Sequence, residues 1–197
     1  MIFNASEIYQ LDNERVLLRP LRKEDNLHLE PFAENEPELF KYSLSQVIGK
    51  ENLQNYIALT LKARENGTEY PFIVFDKAAG KYAGTTRFYD IQLQNKSLQL
   101  GYTWYGKEFH GSGLNKNCKF LLLEFAFETI GMERVEFRAN NLNKRSIAAM
   151  ISIGCTAEGV LRKNVIEPNG FRRDTIVLSI LREDWLTGIK EQLRAKL

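Results

Sequence analysis

Leu98-Gln99-Leu100-Gly101-Tyr102-Thr103-Trp104-Tyr105, then His110-Gly111-Ser112-Gly113-Leu114-Asn115-Lys116, then the apolar run from Cys118 to Ile130, is the stretch that decides the fold. It reads as a strand, a glycine-punctuated turn and a helix. Leu114, Cys118, Leu121, Leu122, Phe125 and Ala126 lie on one helical stripe, which Phe120, Leu123, Phe127 and Ile130 widen. Such a helix is expected to be buried on more than one side, so its first turn is rigidly held. The first N–H groups of a helix lack internal partners, and the aligned peptide dipoles place partial positive charge there. Gly111 and Gly113 let the chain turn tightly and let a bulky anion approach, which makes this turn a candidate phosphate site. A Walker loop is excluded, because no Gly-Lys-Ser/Thr follows. A Rossmann fingerprint is disfavoured: the third glycine and the acidic residue that ends a second strand are missing.

Working outward, Arg15–Leu21 reads as a first strand stopped by Pro20, and Glu24–Ala33 as a short helix with apolar contacts from Leu27 and from Leu29 to Phe32. Glu34–Leu44 is a less regular connection. Glu51–Glu65 has helical spacing and ends at Asn66-Gly67. Tyr70–Asp76 and Tyr82–Leu93 form a hairpin, and with Leu98–Tyr105 they make a three-strand antiparallel meander. Arg134–Asn140 alternates with period two; coming after a strand and a helix, it completes a β-α-β unit with parallel strands. A short helix starts at Asn143 or Ser146 and closes at Gly154. Ala157–Ile166 and Phe171–Leu181 make a last hairpin. The tail from Arg182 places Trp185, Leu186, Ile189 and Leu193 on one side of a helix. The fold class is therefore α/β with an α+β mixed sheet: an antiparallel meander joined to a β-α-β unit with a C-terminal hairpin, in one domain spanning residues 1–197.

Composition narrows the function. The 197-residue chain has a net charge of +2, which argues against broad nucleic-acid binding. No run approaches the roughly 18 apolar residues of a membrane span, and no basic-then-apolar leader is visible. Cys118 and Cys155 lack metal or redox spacing and read as buried reduced thiols in apolar helical context, which suits a cytoplasmic protein. His28 and His110 are too few and too isolated for a metal site, so no metal is expected.

Several short motifs then stand in order: Gly84-Thr85-Thr86, Leu100-Gly101-Tyr102-Thr103-Trp104, His110-Gly111-Ser112-Gly113, Phe125-Ala126-Phe127-Glu128, Asn143-Lys144-Arg145-Ser146, Ile153-Gly154-Cys155-Thr156-Ala157-Glu158-Gly159, and Asn169-Gly170 before Arg173-Asp174-Thr175. Together they resemble the GNAT N-acetyltransferase superfamily, and within it the RimJ/RimL-type branch of N-terminal protein acetyltransferases. The resemblance runs from Leu18-Arg19-Pro20 to Trp185. It implies a GNAT-like acyl-CoA N-acyltransferase fold that uses acetyl-CoA as cosubstrate. The pyrophosphate would take N–H groups of Gly111, Ser112, Gly113, Leu114, Asn115 and Lys116. His110 fills the first position of a turn that usually begins with glutamine or arginine, and Asn115 replaces its last small residue.

By the same resemblance, Tyr102, Thr103 and Trp104 would present main-chain groups to the thioester and pantetheine arm. Asn143 would contact that arm, and Ser146 would approach the sulfur as proton donor to the leaving thiolate. Asn and Ser are also favoured helix caps, which explains both residues without a ligand. Lys116 and Lys119 would be placed to screen phosphate charge, although solvated helix lysines are the preferred reading. The general base stays open: the position of the branch's glutamate holds Val165 or Ile166, while Glu167 and Glu108 read as surface carboxylates. Arg162, Lys163, Arg172 and Arg173 make the hairpin basic, which would suit an acidic acceptor, although a solvated polar face is the preferred reading. The acceptor would be a primary amine, on a protein N-terminus or a small molecule. A homodimer is compatible with this reading, and a non-catalytic acyl-CoA-binding regulatory protein is the alternative.

Overall fold

The computed structural model describes residues 3–197. Eight strands form one mixed sheet: β1 (Leu11–Asp12), β2 (Val16–Pro20), β3 (Glu69–Asp76), β4 (Lys81–Gln92), β5 (Ser97–Tyr105), β6 (Arg134–Asn140), β7 (Thr156–Ile166) and β8 (Arg172–Leu181). Their order is β1-β2-β3-β4-β5-β6-β8-β7. Among the described residues only the β5–β6 pair is parallel, which is the expected β-α-β unit. The meander and the last hairpin are as the alternation predicts; the two-residue β1 has no counterpart in that pattern.

Four main helices are α1 (Asn26–Asn35), α2 (Lys50–Glu65), α3 (Leu114–Glu124) and α4 (Lys144–Ser152). Successive strand side chains point to opposite faces, and β4 shows which helix lies on which. Arg87 donates to Thr60 of α2 at 2.8 Å, while Phe88 stacks on Phe125 after α3 with ring centroids 6.4 Å apart. So α2 and α3 flank opposite faces of the sheet. The chain at 23–33 departs from expectation: a 3-10 turn (Lys23–Asp25) precedes α1, and Leu27 is solvent-exposed rather than a core contact.

As its composition requires, α3 is buried on nearly every side, and it runs on into a π-helical turn, Phe125–Ile130. The tail closes its outer flank in three helical segments, Arg182–Asp184, Trp185–Ile189 and Lys190–Arg194. Trp185 is fully buried against Phe120 and Phe127, and its indole N–H donates to Glu128 at 2.8 Å. Leu193 is also buried, but Leu186, expected on the same side, is exposed because the π-helical turn shifts the spacing.

Candidate active site

The parallel pairing of β5 with β6 covers only Ser97–Gln99 against Arg134–Glu136; beyond it the two strands part. A bulge in β5 accompanies the parting. Thr85 pairs with Trp104 and Arg87 with Gly101, so Tyr102 and Thr103 together face one residue, Thr86. Tyr102 takes a left-handed φ of 49°, unusual for an aromatic residue. Gly84 makes the close approach of β4 and β5 achievable: a Cβ there would lie 2.0 Å from the Trp104 carbonyl oxygen. Gly84→Ala is therefore expected to lower unfolding free energy by about 2 kcal/mol, the scale of overpacking in a tight interior, measured by urea denaturation.

The bulge aims adjacent side chains at opposite faces. On the α2 face the Tyr102 ring lies under the Arg87 guanidinium, 3.5 Å from its centroid, and meets Tyr89 edge-on at 5.0 Å. Arg87 is itself fixed by Glu69 at 2.6 Å. Burial raises the Tyr89 phenol above its ordinary pKa, so it stays protonated. On the α3 face Thr103 and Thr86 hydroxyls are 2.7 Å apart, and Lys119 Nζ donates to them at 2.8 and 3.3 Å. This corrects the reading of Lys119 as a solvated lysine: it is buried with no carboxylate partner among the described residues, and burial lowers its pKa to about 8. The signal was present in the sequence. A helix apolar on every side offers residue 119 no solvent face. Lys116 is half-buried.

The turn before α3 has the geometry of an anion cradle. Gly111 and Gly113 have φ of 75° and 85°, and a Cβ on either would stand in open space. Among the described residues, the N–H groups of Gly111, Ser112, Gly113 and Asn115 have no protein acceptor. The other two expected donors are engaged: Lys116 N–H donates to Gly113 O at 3.1 Å, and Leu114 N–H to the Ser112 hydroxyl at 3.4 Å. Ser112 in turn donates to Phe109 O. His110 ties the turn to the end of β5 by a 2.9 Å hydrogen bond from Nε2 to Tyr105 O. Burial, and the nearby Arg145 charge, hold its pKa below the ordinary value. Trp104 is buried against Phe32 and Phe40, and the Leu114 side chain is in the core, so each has only main-chain groups to offer a ligand.

Across the gap, Asn143 caps α4, its Oδ1 accepting from Ser146 N–H at 3.1 Å. Arg145, in the first turn of α4, is close enough to His110 to act on it electrostatically. At the end of β6, buried Asn140 donates to Glu167 at 2.7 Å. Glu167 is thus held at a cavity of about 400 Å³ between the β7–β8 turn and the α1–α2 connection, with Phe40, Lys41, Ser43, Gln46 and Asn52 on its wall. It is no free surface carboxylate. Glu108, by contrast, pairs with Lys81 on the surface as expected. Sequence reasoning missed Asn140, Tyr89, Arg87 and the setting of Glu167, because strand register and loop closure bring them together. Cys118 and Cys155 are buried free thiols; Cys155 lies in the connection between α4 and β7 rather than in a helix.

Diverging parallel strands, a bulge at the point of divergence and a helix start with free amides form one cleft. Comparisons with known proteins agree with it. Residues 15–156, more than half of the chain, match the model of the acetyltransferase (GNAT) domain. YdaF of Bacillus subtilis (strain 168), provisionally named a ribosomal N-acetyltransferase, is 30% identical over 54% of this chain and 57% of its own length, so the match spans little more than half of that relative. A second protein of that organism, YjcK, described as a probable N-acetyltransferase, is 27% identical over 88% of this chain and 98% of its own. A crystal structure of an acetyltransferase from T. thermophilus, also provisionally assigned, is 32% identical. It superposes with a TM-score of 0.86 over 95% of this chain and 96% of that one. With the matching domain, the near full-length superposition and the cleft in agreement, the chain belongs to the GNAT family of acetyltransferases.

Proposed function

We propose that this protein, working as one domain in the cytoplasm, transfers the acetyl group of acetyl-CoA to a primary amine, on a protein N-terminus or a small molecule. The observation that carries the reading is the pairing of four unpartnered N–H groups at the start of a rigidly buried helix with a strand gap that opens beside them. A diphosphate fits the first and a thioester arm the second. In this reading Gly111, Ser112, Gly113 and Asn115 hold the diphosphate through their amides, while Asn143 and Ser146 flank the arm. Main-chain groups of the bulged Tyr102–Trp104 segment polarise the acetyl carbonyl in a water-poor cleft, where an aligned donor is worth about 3 kcal/mol of barrier. Ser146 stands as proton donor to the departing sulfur. Glu167, the acid that lines the acceptor-side cavity, receives the proton of the incoming ammonium. The reduced state of the two thiols suits the cytoplasm.

Two measurements test this. Acetyl-CoA at about 100 times its Kd is expected to stabilise the fold by about 2.7 kcal/mol in a thermal-shift series, with ATP inactive. Thiol release against a panel of amines and ribosomal-protein N-terminal peptides is expected to match acetylated product by mass spectrometry. Binding of acetyl-CoA without release across the panel would favour the regulatory-protein alternative.

A further inference from the structure

We propose that Arg173 reads a carboxylate on the acceptor, so that the amine accepted belongs to an acid-bearing molecule. This rests on the acetyl-transfer reading above and adds a substrate class to it. Register fixes where the residue stands. Asn140 pairs with Thr175 and Arg138 with Val177, and Arg173 lies two positions before Thr175. Strand alternation therefore puts Arg173 on the face that carries Asn140, Tyr89 and Tyr102, opposite the α3 face where the anion cradle begins. Electrostatically its neighbours are Glu167, Tyr89 and Tyr102.

The guanidinium there is under-satisfied. Its Nη1 donates at 3.1 Å to the Tyr42 carbonyl in the α1–α2 connection, while Nε is buried and lacks an acceptor among the described residues. Among the described residues no carboxylate lies within ion-pair distance of it. Other arginines at least partly buried are equipped differently: Arg19 has Asp25 at 2.7 Å and the buried Arg87 has Glu69 at 2.6 Å. Burial lowers the Arg173 pKa, the signature of a cation whose lost hydration has not been replaced. Glu167 is nearby but is engaged by Asn140.

A planar fork with a free edge matches a carboxylate in two parallel hydrogen bonds. The negative charge of Glu167 in the same neighbourhood disfavours a dianionic phosphate. In the acetyl-transfer reading the coenzyme's diphosphate is placed on the opposite face. A carboxylate on the acceptor is what remains. It has two sources, the α-carboxylate of a free amino acid or an acidic side chain at the second position of a peptide.

The test measures kcat/KM at saturating acetyl-CoA for matched pairs: free amino acids against their amides, and C-terminally amidated peptides with Asp or Glu at position two against Asn or Gln. Wild type is expected to favour the acid over its neutral isostere by about tenfold or more, the scale of a charge-assisted bidentate pair. Whichever pair shows the preference identifies the source. Arg173→Gln is expected to bring the ratio to about one while leaving acetyl-CoA affinity and turnover of the neutral partner within about threefold, and Arg173→Lys to restore part of it. Equal rates for acid and amide in wild type, or an undiminished preference in Arg173→Gln, would overturn the proposal and leave acetyl transfer standing. Isothermal titration of the same pairs with CoA present separates the two readings. Carboxylate-dependent binding without turnover of any amine would sink acetyl transfer and keep the subsite.

Discussion

Gly113→Glu is expected to weaken acetyl-CoA binding at least about 100-fold in isothermal titration, while far-UV circular dichroism stays that of the native fold. Gly113 is the N-cap of α3, at φ 85° and ψ −13°. A side chain there costs about 1–2 kcal/mol of left-handed strain, which a 197-residue fold survives as a drop of a few degrees in Tm. The large effect is electrostatic and steric. An added Cβ meets nothing within 4 Å, so the glutamate side chain extends into the open cradle beside the unpartnered amides. Its carboxylate then takes the place of the anion at the helix start. Against a diphosphate about 4 Å away, each like-charge pair costs about 4 kcal/mol at the dielectric of a protein surface, before salt screening. Gly113→Ala separates the causes, since it adds the strain without the charge and is expected to lose less than about tenfold. Equal affinity in Gly113→Glu and wild type would show that the coenzyme lies elsewhere and would remove the basis of the proposed function.

Gly113 also shows what one chain can disclose. The α3 turn was readable because its determinants are local: two glycines, a cap and an apolar run. The meander and the β-α-β unit were readable for a similar reason, since period-two alternation and short turns fix neighbours. The functional face of the sheet was not. Arg173 looked like one of four hairpin cations, and only β6–β8 register turns it toward Tyr89 and Tyr102. Asn140 looked like a strand end, and only closure of the β7–β8 turn brings Glu167 to it. The bulge at Tyr102 carries no sequence mark beyond Gly101, whose missing Cβ lets the Tyr89 ring lie over β5. Leu27 and Leu186 failed in the other direction: each fits an apolar stripe, but a 3-10 turn or a π-helical turn rotates it into solvent.

Lys119 gives the second large effect, and its sign follows from burial. With a pKa of about 8 in the fold against 10.5 ordinarily, the unfolded chain holds the extra proton between those values. Stability of the wild type therefore rises with pH across that window from this group. The cost of burying the ammonium is complete below pH 8 and absent above 10.5. Lys119→Met fills a similar volume without charge and removes that cost, at most about 3 kcal/mol for a shift of this size. The hydroxyls of Thr86 and Thr103, left without the ammonium, still have each other at 2.7 Å, so the net gain at pH 7 is expected to be about 1–3 kcal/mol. The measurement is urea denaturation of both proteins from pH 7 to 9, taken as wild type minus variant. The difference is read below about pH 9, because Cys118 and Cys155, pushed up to about 12 by burial and lowered in part by the Lys119 charge, act with the opposite sign above it and do not cancel fully once that charge is removed. A difference curve flat in pH would mean that the amine is hydrated or paired in solution. A rising curve with a more stable variant at pH 7 would mean that the chain keeps a costly cation directly behind Thr103, on the strand that faces the acetyl group in the proposed reaction.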